Sequence, residues 1–129
     1  MKMNSRLMHL FKAESQIEIR EIAKGLACLK NESRTMADDS RIIGELHRNV
    51  HTLKSSSATA GFHNLNEITS ALTEIFRAAG DGRCEIRTDI IPLLEEGVDA
   101  CRNLLEKSDK KEGTPDYENL LNRLGKLLP

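Results

Sequence analysis

The side chains with the most chemistry in this chain are a histidine and a lysine three positions apart. They are His51 and Lys54, in the run VHTLKSSSATAGF. A solvent-facing imidazole keeps a neutral, nucleophilic ring nitrogen at cellular pH. A lysine one helical turn further on places a compact positive charge where an anion attached to that nitrogen would sit. From Ser55 to Gly61 every side chain is small, so the surface stays low and another protein's active site can come down onto the histidine. Phosphoryl transfer needs in-line approach and charge placement more than covalent help, and this stretch offers both. His47 lies four residues before His51, the spacing of two zinc ligands on a helix. HRNVH lacks the glutamate of a zinc-protease motif, Arg48 disfavours a cation, and no third ligand stands out, so no metal is expected. His47 reads instead as a surface neighbour lending positive potential. The plainer alternative for His51 is an ordinary surface histidine.

These residues need a rigid helix to present them, and the periodicity is helical nearly everywhere. Leu7, Leu10, Ile17, Ile22, Leu26 and Leu29 predict the inner face of a first helix from about Ser5 to Lys30. Asp38 or Asp39 suits the N-cap of a second. On that helix Ile42, Ile43, Leu46, Val50, Leu53 and Ser57 point inward. His47, His51, Lys54 and Ala58 follow each other on an outer stripe. Gly61 is the natural left-handed residue to end it. Asn64 and Glu67 suggest a capping box for a third helix, with Leu65, Ile68, Leu72, Ile75 and Phe76 facing in. Gly80 and Gly82 mark a turn. A fourth helix from about Asp89 tolerates Pro92 in its first turn and carries Ile90, Leu94, Val98, Cys101 and Leu105. A charged linker over about 108–114 leads to Thr114 and Pro115, read as the cap and first residue of a last helix to about 128. One all-α domain over 1–129 is expected: an antiparallel four-helix bundle over about 5–107 with a short C-terminal helix.

Composition removes several function classes. The net charge of −1 argues against a surface that binds nucleic acid through bulk charge. Three phenylalanines, one tyrosine and no tryptophan leave few platforms for stacking bases. No segment has the length and apolarity of a membrane anchor or signal peptide. Cys28, Cys84 and Cys101 have neither zinc-ligand nor disulfide-framework spacing, so a reducing, cytoplasmic location is expected. Cys28 and Cys101 fall among apolar positions and are predicted to be small core residues.

HTLKSSSATAGF resembles the signature of histidine-containing phosphotransfer (HPt) domains, in which a phosphoacceptor histidine precedes a lysine by three and then a run of glycine, serine and alanine. The longer stretch IIGELHRNVHTLKSSSATAGFHNLNEITSALTEIFRAAGDG is similar to the N-terminal phosphotransfer domain of CheA-type chemotaxis histidine kinases, including the arginine at Arg48. The resemblance implies a phosphocarrier of a two-component relay, passing a phosphoryl group between a histidine kinase catalytic domain and a response-regulator receiver aspartate. It has no catalytic activity or cofactor of its own, with magnesium supplied by the partner. His51 would be the phosphoacceptor, Lys54 its charge partner, and Ser55, Ala58 and Gly61 would lie under the docked partner. Ser55 stands where the family usually has glycine. Thr73, expected opposite His51, stands where the family usually has a glutamate or glutamine that hydrogen-bonds the imidazole. Ser70 replaces a histidine frequent in chemotaxis kinases. These departures motivate a second reading, an HPt-like docking or scaffold domain that is never phosphorylated.

Overall fold

In a computed structural model, residues 4–31, 33–107 and 117–129 are described. They form α1 (Ser5–Leu29), α2 (Met36–Ala60), α3 (His63–Gly80), α4 (Ile91–Glu106) and α5 (Glu118–Gly125), with no strand among the described residues. The first four helices close a bundle: α1 packs on α2, α2 on α3, α3 on α4, and α4 back on α1. α5 lies across α3 and α4. Its position is held by buried Leu120 and Leu124, with Leu124 against Gly97 of α4. The expected linker and the caps Thr114 and Pro115 lie outside the described residues.

The inner faces of α2, α3 and α4 follow their apolar periodicity, with Leu46, Val50, Leu53, Leu65, Ile68, Leu72, Ile75, Phe76, Leu94 and Cys101 all buried. Ile43 and Ile90 are only partly buried. α1 differs. Leu7, Leu10 and Ile17 are 46%, 52% and 51% exposed, and the face turned inward carries Phe11, Ser15, Ile19, Ile22, Leu26 and Leu29. The two sets are interleaved at helical spacing, and the Phe11 ring packs tilted against the Phe62 ring with centroids 4.9 Å apart. Cys28 belongs with the outer set and is exposed, contrary to the expectation of a core residue, while Cys101 is buried. All three thiols are free.

The helix starts also depart from expectation. α2 is capped by Thr35, not by an aspartate. The Thr35 hydroxyl accepts from the Asp38 amide at 3.1 Å, and the Asp38 carboxylate accepts from the Thr35 amide at 3.0 Å. Asp38 thus serves as the third residue of the box, which satisfies two amide donors together. α3 begins at His63 with no side-chain cap. Glu67 pairs with His63 Nε2 at 2.7 Å. Between elements, Glu95 pairs with Lys30 at 2.8 Å, and Glu96 holds the Arg123 guanidinium through contacts of 2.6 and 2.8 Å.

Candidate functional site

α2 ends at Gly61 because that residue adopts φ +80°, a conformation glycine reaches without strain. The Gly61 amide bonds to the Ala58 carbonyl and the Phe62 amide to the Ser57 carbonyl, the two-bond closure that satisfies the last helical acceptors. Phe62 then drops into the core, 5% exposed, and α3 returns along α2. Asn66 Nδ2 donates to the Lys54 carbonyl at 3.0 Å, and Ser57 Oγ donates to the same oxygen at 2.8 Å. The turn of α2 carrying Lys54 is therefore braced from α3 and from within. Asn66 was not legible as a site residue, because a bond to a backbone oxygen on another helix leaves no spacing pattern.

On this frame His51 is exposed. Val50 and Leu53 beside it are fully buried, so the ring projects from a wall that cannot roll. Lys54 is half-buried. Arg48, Ser55, Ala58 and Gly61 are exposed. Ser57 is fully buried. Small side chains do surround the pair on its C-terminal side.

His47 and Thr73 are placed differently from expectation. His47 is half-buried, and its Nε2 is shielded from solvent with no hydrogen-bond partner among the described residues. Burial first, and then the positive charge of Arg77 and the neighbouring His51, hold its pKa below the ordinary imidazole value; Glu74 and Asp81 oppose this only in part. A neutral ring does not supply standing positive potential. Thr73 is fully buried, and its hydroxyl donates to the Thr69 carbonyl at 2.7 Å, not to His51. Back-bonding of this kind is the ordinary outlet for a threonine in a helix interior. Ser70 does the same to Asn66 at 2.7 Å. No side-chain hydrogen bond to the His51 ring occurs among the described residues.

Beside this stripe the α1–α2 interface opens into a groove of about 180 Å³ lined by Phe11, Glu14, Ser15, Ile17, Glu18, Thr52, Leu53 and Ser56. Sequence reasoning missed it, having turned Ile17 inward. Burial, then Glu21 and Glu14, raise the Glu18 pKa, and its Oε2 is buried without a hydrogen-bond partner among the described residues. No group of three or more potential metal ligands forms among the described residues.

A helical bundle presenting one exposed histidine on a small-residue wall defines a class of protein, and the comparisons agree on it. The profile of the Hpt domain family matches residues 6–124, and the chain belongs to that family. Among its relatives is the chemotaxis protein CheA of Borreliella burgdorferi, 28% identical over 97% of this chain and 14% of that protein. Others are the CheA proteins of Treponema pallidum, 24% identical over 98% of this chain and 15% of that one, and of Bacillus subtilis, 28% over 67% and 13%. The chain thus spans only a small part of the length of these relatives. The solution structure of the histidine phosphotransfer domain of CheA shares the fold, with a TM-score of 0.82 and 19% identity over 98% of this chain and 95% of that one. The described residues contain no helix long and apolar enough to cross a membrane.

Proposed function

We propose that this Hpt domain carries a phosphoryl group on His51 in a two-component relay, and that Lys54 is the charge partner of that group. The observation that carries the reading is the exposed imidazole on a wall cleared by Ser55, Ala58 and Gly61, with Lys54 one turn away. The outer nitrogen of His51 attacks the activated phosphorus, and the receiver aspartate later removes the group in the reverse sense. The domain needs no cofactor; magnesium belongs to the partner's site. The partners are the catalytic domain of a histidine kinase and a receiver, and the setting is cytoplasmic. The half-exposed Ile17 lines the groove beside Thr52, and that groove is where the receiver rests.

Incubation with a phosphorylated receiver, or with a chemotaxis kinase and ATP, should give an acid-labile, base-stable label on the wild type. Equal labelling of His51→Gln would refute the assignment.

The scaffold reading is favoured by one observation, the loss of the Thr73 hydroxyl to its own helix, which leaves the His51 ring without an orienting side chain among the described residues. Receiver binding unchanged in His51→Ala, with no transfer from any partner, would establish it.

A further inference from the structure

The outer stripe of α2 carries two imidazoles, and the phosphocarrier reading uses one. The ring centroids of His47 and His51 are 6.1 Å apart. That gap is shorter than the Debye length of about 8 Å at physiological ionic strength, so charge placed on one ring is felt by the other. We propose that His47 is a positioning residue for phosphorylated His51: it rests as a neutral ring and takes up a proton when the phosphoryl group arrives, becoming a second cation beside the phosphoryl oxygens. The inference rests on the phosphocarrier reading.

Three observations converge on it. Nε2 of His47 is screened from water and has no hydrogen-bond partner among the described residues, so that nitrogen is committed to none of them in the resting domain. The charged groups around it come from every side that packs there: His51 on α2, Arg77 and Glu74 on α3, and Asp81 in the turn after α3. Among them the cations and burial prevail over the two carboxylates, which keeps the resting ring neutral. The transferred group carries up to about two negative charges on its oxygens against one positive charge on the still-protonated His51 ring, so the net change beside His47 is about −1, opposite in sign to the cations that keep its resting ring neutral.

The step balances. The donor's P–O bond breaks as the lone pair of the outer His51 nitrogen forms the N–P bond, and the donor oxygen leaves with the electron pair. His51 keeps its own proton on its other nitrogen, and the proton gained by His47 comes from the buffer. Because proton uptake accompanies phosphorylation, acid favours the phosphorylated domain between the resting and the phosphorylated titration midpoints of His47.

The test is an NMR titration of the His47 ring before and after phosphorylation, with the phosphohistidine followed by its phosphorus resonance. The midpoint should rise by about one pH unit. A phosphohistidine signal with an unmoved His47 midpoint would overturn the inference and leave the carrier reading intact. Failure to form any phosphohistidine would overturn the carrier reading and this inference together. His47→Gln supplies a second measurement: the equilibrium ratio of phosphorylated domain to phosphorylated receiver should lose up to about tenfold of the pH dependence seen in the wild type. Equal pH dependence in the two proteins would also refute it.

Discussion

Two glycines in helix interiors make an opposed pair of experiments. Gly25 lies in α1 where it crosses α2. A Cβ there would stand 2.7 Å from Leu46 Cδ2 and 3.0 Å from Leu46 Cγ. Leu46 is 1% exposed and has nowhere to retreat. Gly44 lies in α2, two residues before Leu46, and a Cβ there meets nothing within 4 Å. Alanine is better than glycine in a helix by about 1 kcal/mol at either position. Overpacking a closed core costs about 1–3 kcal/mol. Gly44→Ala should therefore stabilise by about 1 kcal/mol, and Gly25→Ala should destabilise by about the same amount. For a chain of this size the two melting temperatures should move apart by roughly 8 °C. Urea unfolding of both variants is the assay, with an unchanged slope as the control for two-state behaviour. In a Leu46→Ala background the obstacle is gone, so Gly25→Ala should there become neutral or stabilising. If both substitutions stabilise the wild type equally, the close crossing of α1 and α2 at Gly25 and Leu46 is wrong.

Glu18→Gln should stabilise the protein at neutral pH. The folded carboxyl titrates above its ordinary 4.5, so its ionisation opposes folding as pH rises through the folded value, and the variant's advantage should vanish in acid below the unfolded value; chemical unfolding at several pH values checks this. Thiol alkylation of the native protein should modify Cys28 first, Cys84 more slowly, and Cys101 only on unfolding. Burial pushes the Cys101 thiol up to about 12, whereas Cys28 is exposed; mass spectrometry after timed quenching orders the three.

Much of this fold could be read from α2, α3 and α4, where each inner face is a run of large aliphatic residues bounded by glycine or proline. α1 resisted because its inner face includes Ser15, 2% exposed, a small polar residue that apolar counting skips. Leu7, Leu10 and Ile17 then supplied an equally good stripe turned the other way. The start of α2 was misplaced because an aspartate can serve a helix start either as the cap or as its third residue, and only the Thr35 geometry decides between them. At the site, the exposure of His51 followed from the burial of Val50 and Leu53. The half-burial of His47 did not, since it depends on how closely α3 approaches that side of α2. The fate of the Thr73 hydroxyl was equally hidden, because the acceptor it takes is a carbonyl four residues back on its own helix.

That inward-turned hydroxyl leaves the His51 ring with no side-chain hydrogen bond among the described residues to fix its orientation. On the proposed reading the same ring must fit two unlike active sites in turn, one handing over the group and one removing it. A latched ring would suit one orientation and resist the other. An unlatched ring favours neither and surrenders its rotational freedom at each encounter, a cost of roughly 0.5–1.5 kcal/mol that falls on both partners alike. The trade is slower capture for reversibility.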